Sequence, residues 1–234
     1  MKLAILQTDI LHPEFLAQYH GYGVMFQRMF AEAGIAVHSD IFSVIEGIYP
    51  DAPEQYDAML ITGSKADAFS DEPWIIQLKQ YLQQRFAQGQ KLLGICFGHQ
   101  LLAHSLGGVV QRAAQGWGVG IMDYHWCELP TWAAIEQPRV SLICSHRDQV
   151  VTLPAEAKLL AKNDFCPNAA FYIDSRVLAF QPHPEFTKPY AEALLRKRWQ
   201  DIGEDKAATA LVSYQAEHQG QQIAQLMASF IRAK

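Results

Sequence analysis

The residue best suited to covalent chemistry is Cys96, in the run Gly94-Ile95-Cys96-Phe97-Gly98. The strand-like segment KLLGIC (91–96) precedes it and the helix-like segment GHQLLAHSL (98–106) follows. Glycines two positions before and after a nucleophile remove side chains that would collide where a strand turns at once into a helix. A thiol at such a turn stands clear of the sheet at a helix N-terminus, whose positive end favours the thiolate. The amide of Phe97 points into the same space, where it can bind an oxyanion. The pattern also fits a thiol that is merely small and buried; the flanking strand and helix favour the nucleophile.

A thiolate nucleophile works with a nearby base, and the base with a group that orients it. The run VLAFQPHPEF (177–186) offers His183 and Glu185. Its prolines favour extended backbone, in which residues i and i+2 share a side, so Glu185 can reach the His183 ring. In LITGSKADAF (60–69), successive amides at Gly63 and Ser64 suit a second oxyanion site. Taken singly, the first of these runs reads equally as a surface loop and the second as a plain turn. Together with Cys96 they supply every role that acyl transfer needs.

The elements that must position these residues alternate. KLAILQT (2–8), AVHSDIFSV (36–44), YDAMLITG (56–63) and KLLGIC read as strands. GVMFQRMFAEAG (23–34) and SDEPWIIQLKQYLQQRFAQG (70–89) read as helices. The second has Ser70 or Asp71 as its cap, Pro73 in the first turn, and Ile75, Leu78, Leu82 and Phe86 on one face. This βα alternation predicts a doubly wound, mostly parallel sheet with its site at the carboxyl ends of strands. Residues 108–182 read instead as short strands, GVVQRA, VGIMDYHW, RVSLICSH and RVLAFQPH, some in a small antiparallel extension. From about Thr187 the tail reads as helical, with Ile223, Leu226, Met227, Phe230 and Ile231 forming an apolar stripe for the core. No repeat or linker interrupts the chain, so one domain over 1–234 is expected.

Bulk properties narrow the function classes. The 234 residues are 50% hydrophobic and 18% charged, enough for a sizeable core, and the net charge of −5 offers nucleic acid no general attraction. The one compact basic run, Arg196-Lys197-Arg198, reads as the solvated face of a helix. Cysteines 96, 127, 144 and 166 include no CxxC pair, which argues against a zinc site or a redox pair and for reduced thiols in a cytoplasmic protein. The opening MKLAILQTDILHPEF has too short an apolar run for a signal peptide or membrane span.

GICFGHQLLAHSLGG and QPHPEF resemble the nucleophile and His/Glu motifs of class I (triad) glutamine amidotransferases, in the same order and over about residues 55–190. The resemblance implies a flavodoxin-like α/β fold, with Cys96 as nucleophile, His183 as general base then acid, and Glu185 as its orienter. It places oxyanion amides at Gly63 or Ser64 and at Phe97, and substrate contacts at Gln100, Ser145 and His146. It implies no metal and no cofactor, a glutamine or γ-glutamyl small molecule as substrate, and a γ-glutamyl thioester intermediate. Synthase-linked members carry GGP where this chain has Gly63-Ser64-Lys65, and glycine where it has Arg147. These forms look more like the stand-alone GMP-synthase-like and γ-glutamyl peptidase-like branch. Three functions follow as expectations: a glutaminase-type amidotransferase working with a separate synthetase subunit, a γ-glutamyl peptidase, or a catalytically silent regulatory domain.

Overall fold

The computed structural model describes residues 1–233. The first half contains β1 (Lys2–Gln7), α1 (Pro13–Tyr19), α2 (Tyr22–Glu32), β2 (His38–Ser43), β3 (Ala58–Ile61), α3 (Pro73–Ala87), β4 (Leu92–Ile95) and α4 (Phe97–Ser105). Seven strands follow: β5 (Val109–Arg112), β6 (Gly118–Trp126), β7 (Arg139–His146), β8 (Asp148–Thr152), β9 (Lys158–Lys162), β10 (Ala170–Ile173) and β11 (Val177–Phe180). The chain closes with α5 (Lys188–Lys197), α6 (Trp199–Ile202), α7 (Glu204–Ser213) and α8 (Gly220–Arg232).

Nine strands form one sheet in the order β2-β1-β3-β4-β11-β10-β9-β6-β7. The first five are parallel, in the 2-1-3-4-5 arrangement of flavodoxin-like sheets. The remaining four add antiparallel pairs, and β5 with β8 makes a separate two-stranded ribbon.

Period-2 alternation explains why helices cover both faces of the parallel half. Leu3, Ile5, Leu60, Leu93 and Ile95 point to one layer, where they meet Phe26, Met29 and Phe30 of α2 and the apolar stripe of α8. Ala4, Leu6, Met59, Ile61 and Leu92 point to the other, against Ile75, Leu78 and Leu82 of α3 and Leu101 and Leu102 of α4. Each such Leu or Ile contributes about 1.5–3 kcal/mol by leaving water. A third cluster seats α1, α5 and α7 around Phe186 and Tyr190.

The fold departs from expectation at particular residues. The cap of α3 is Glu72, not Ser70 or Asp71. Pro73 occupies the first helical turn and forces its predecessor into extended backbone (φ −58°, ψ 134°), so the helix cannot begin earlier. Ser70 Oγ instead accepts from the Glu72 N–H at 3.3 Å, in a turn before the helix. The short helix α1, which starts at Pro13, and the strands β8, β9 and β10 are additions to the sequence reading. No helix among the described residues is long and apolar enough to cross a membrane.

Candidate active site

Four neighbouring parallel strands carry the site at their carboxyl ends. β1 leads into Thr8 and Asp9, β3 into Thr62–Lys65, β4 into Cys96, and β11 into Gln181–Glu185. Cys96 is the pivot between β4 and α4. Its backbone has φ 52° and ψ −100°, a strained conformation for a non-glycine residue. Close packing holds it there. A Cβ on Gly94 would lie 2.5 Å from the Gly98 carbonyl oxygen, and one on Gly98 would lie 2.3 Å from the Ile61 carbonyl oxygen. The strand and the helix therefore approach as only glycine allows. The Cys96 N–H donates to Phe180 O at 2.8 Å, tying the turn to β11. Trp74 stacks on Phe97 with ring centres 5.6 Å apart and fixes the first helical turn, whose N–H groups lack intrahelical partners.

The His183 loop is pinned just as firmly. The His183 N–H donates to Ile143 O of β7 at 2.8 Å. Its ring lies flat on Phe186, 3.9 Å away and 9° from parallel. Nδ1 stands 2.7 Å from Glu185 Oε1, so Nδ1–H donates to the carboxylate and Nε2 is left as the other ring nitrogen. A Cβ on Gly63 would be 2.8 Å from His183 Cε1 and 3.7 Å from Cys96 Cβ, so imidazole, thiol-bearing carbon and the β3 loop converge on one point. Burial alone would lower the His183 pKa. The charges of Glu185 and Cys96, with hydrogen bonds to both, overcome that and raise it to about 10.

The β3 loop has a defined polarity. Thr8 Oγ1 donates to the Gly63 carbonyl at 2.9 Å from beneath the loop. In a trans peptide the Ser64 N–H then faces the opposite way. Ser64, Cys96, Gln100, His146 and Arg147 line one cleft of about 250 Å³. Lys65 is anchored on the buried Asp9 through both its N–H (2.9 Å) and its Nζ (3.0 Å).

The remaining expected residues sit at the cleft, with more specific partners than sequence suggests. Gln100 Nε2 donates to Asp148 O (2.9 Å) and Gln181 Oε1 (3.1 Å), so its amide donors are engaged. Gln181 in turn points Nε2 at the Cys96 sulfur, 3.6 Å away. Gln181 was missed: it lies in the bend that follows β11, where no strand or helix period sets its direction. His146 Nδ1 donates to Asp148 O at 3.1 Å, and burial lowers its pKa to about 4, so its ring is neutral. Ser145 Oγ accepts from Arg198 Nη1 at 3.1 Å. Cys144, by contrast with Cys96, is enclosed, and burial pushes its thiol up to about 12.

A pivoting, strained cysteine beside a carboxylate-bound histidine invites comparison with known families, and the glutamine amidotransferase class-I family model matches residues 16–200. The chain belongs to the class-I glutamine amidotransferases. The chain is 35% identical to gamma-glutamyl peptidase 3 of Arabidopsis thaliana over 178 residues, covering 73% of this chain and 71% of that one. It is 30% identical to the glutamine amidotransferase-like protein chyE of Penicillium rubens over 179 residues, covering 73% and 72% of the two chains. Its fold matches that of a glutamine amidotransferase from Thermotoga maritima with TM-score 0.80 and 18% identity, over 99% of this chain and 98% of that one.

Proposed function

We propose that this amidotransferase hydrolyses γ-glutamyl amides through a thioester on Cys96. The observation that carries the reading is the convergence of Cys96, His183 and the β3 loop on one point, with Glu185 hydrogen-bonded to the far side of the imidazole. The Cys96 sulfur attacks the γ-carbonyl carbon. The developing oxyanion is held by the N–H groups of Phe97 and Ser64; the Thr8–Gly63 hydrogen bond favours Ser64 over Gly63 for this role. His183, held on Glu185 and protonated at neutral pH, hands its proton to the departing nitrogen. Ammonia or an amine leaves and a γ-glutamyl thioester remains. His183 then takes a proton from water as it attacks the thioester. Glutamate leaves, and the Cys96 sulfur and the protonated His183 are back in their starting states.

With glutamine as substrate, the ammonia would pass to a synthetase that activates its acceptor. A second reading, γ-glutamyl peptide hydrolysis, is favoured by the similarity to gamma-glutamyl peptidase 3. Ammonia release from glutamine, measured beside amine release from a panel of γ-glutamyl amides, separates the two. Turnover of at least one class by the wild type, abolished in Cys96→Ser, is the expected result. Turnover of neither, or equal turnover by Cys96→Ser, would overturn the reading and leave a silent regulatory domain.

A further inference from the structure

Three basic side chains border the cleft beside Cys96, and their charges are not equally available. Lys65 is committed to Asp9 at 3.0 Å. Arg147 is committed to Asp67 at 3.0 Å, and Arg112 bridges that same Asp67 (3.0 Å) and Asp148 (3.2 Å), so two arginines balance two aspartates. Arg198 differs. Its Nη1 donates to the neutral Ser145 hydroxyl, and its guanidinium lies 5.5 Å from the centre of the Trp117 ring. Among the described residues it has no carboxylate partner within ion-pair distance. A half-buried guanidinium fixed by a hydroxyl and an indole, with donors to spare, is complementary to a ligand carboxylate.

Asp201 follows three residues on and lines the same cleft, also without an ion-pair partner among the described residues. A half-buried cation and an exposed anion on the rim of one cleft, neither held in an ion pair among the described residues, match a zwitterion. In a γ-glutamyl compound only the α-carbon of the glutamyl group carries both a free ammonium and a carboxylate. The leaving amino acid has its nitrogen in the amide and offers a carboxylate alone. Two methylene groups separate the zwitterionic head from the carbonyl that Cys96 attacks.

We propose that Arg198 and Asp201 read the α-amino-acid head of the γ-glutamyl group, Arg198 taking its carboxylate and Asp201 its ammonium. This rests on the γ-glutamyl reading above and adds to it the residues that make the enzyme select glutamyl over other acyl groups. Arg147, already neutralised by Asp67, is a wall of the cleft and not the carboxylate receptor.

The test uses γ-L-glutamylglycine and two truncated forms that keep the same leaving glycine: 4-aminobutanoylglycine, which lacks the α-carboxylate, and glutarylglycine, which lacks the α-ammonium. Binding is measured by titration calorimetry to the Cys96→Ser protein and to the same protein carrying Arg198→Gln, Arg198→Lys or Asp201→Asn. Arg198→Gln should weaken γ-glutamylglycine about 10- to 100-fold, the range of a charged hydrogen bond, and leave 4-aminobutanoylglycine unchanged. Arg198→Lys should recover part of the loss. Asp201→Asn should weaken γ-glutamylglycine and leave glutarylglycine unchanged. With Cys96 present, the Arg198 loss should appear in KM and not in kcat. Unchanged binding in Arg198→Gln, no binding of γ-glutamylglycine to the parent, or a loss that persists with 4-aminobutanoylglycine overturns the assignment; the last would put Arg198 on the glycine carboxylate. Absence of turnover in the wild type with this binding pattern intact would overturn the hydrolase reading alone.

Discussion

The two ends of the cleft are built on different principles. At the Cys96 end, Cys96, His183 and Glu185 are buried, the backbones of Cys96 and His183 are hydrogen-bonded to strands, and ring stacking leaves the imidazole one orientation. At the Arg198 end, the half-buried Trp117, Arg147 and Arg198 and the exposed Lys65 and Asp201 line one cleft, and what distinguishes the charged ones is which are already balanced. On the proposed reading, packing sets the chemistry and charge compensation sets the choice of ligand. Mutations at the first end should therefore cost turnover or stability, and those at the second end affinity.

The largest break in that contrast comes from Glu185→Gln. It keeps the size of the side chain but removes the carboxylate that fixes Nδ1–H and holds the proton on His183, so kcat should fall on the order of 10²- to 10⁴-fold with KM little changed. Steady-state kinetics on any turned-over γ-glutamyl amide measures it, and a change confined to KM would contradict the role. Gly98→Ala should come next, as a stability effect. Its Cβ would meet backbone and not a flexible side chain, so a loss of about 3 kcal/mol or more in urea unfolding is expected. A loss below about 1 kcal/mol would mean that the strand–helix contact is looser than described.

Acid should expose how dry the Cys96 end is. Burial lowers His99 to about 3 and His146 to about 4, against an ordinary value of 6.5. Between those values and 6.5 the unfolded chain binds protons that the folded one refuses. Stability therefore rises with pH through this window and is lost as pH falls, by about 1.4 kcal/mol per pH unit for each histidine. Unfolding free energies measured from about pH 6.5 down to about pH 4 should show this slope, less the opposing share of Asp148, whose carboxyl burial pushes up to about 6, and reduced by one histidine's share in His99→Leu. An unchanged slope in that variant would contradict the assignment to His99. The smallest effect belongs to Arg147→Ala. Asp67 keeps Arg112 as its partner, so KM for a γ-glutamyl amide should move less than about threefold, in keeping with a partly exposed ion pair. A shift as large as that of Arg198→Gln would erase the distinction between the two arginines.

What the sequence could tell follows the same division. The Cys96 turn was legible because its determinants are local: glycines at fixed offsets, an apolar strand before and a helix after. His183 and Glu185 were legible as a pair from their types and spacing, but not from the extended backbone expected of the prolines: Pro184 and Glu185 lie in a turn, and that turn brings the carboxylate to Nδ1. The charged end was not. Arg196, Lys197 and Arg198 are one basic run in sequence, yet they part company in the fold: Arg196 pairs with Glu192 on its own helix, Lys197 with Glu14, and Arg198 turns to Ser145 and Trp117. The helix ends at Lys197, and Arg198 leaves it as the junction with α6, so its direction is set by tertiary contacts that no local pattern encodes. The strands β9 and β10 escaped for a related reason. They are five and four residues long, and their pairing partners, not their own periodicity, make them strands.

The central claim is an acyl bond between the substrate's γ-carbonyl and Cys96, and acid-quenched mass spectrometry of the enzyme during turnover of a γ-glutamyl amide tests it most directly. A fraction of the protein should carry the mass of one γ-glutamyl group, mapped to the peptide containing Cys96 and absent from Cys96→Ser. Full turnover with the adduct on another residue, or in a Cys96→Ser protein that works as well as the wild type, would contradict it.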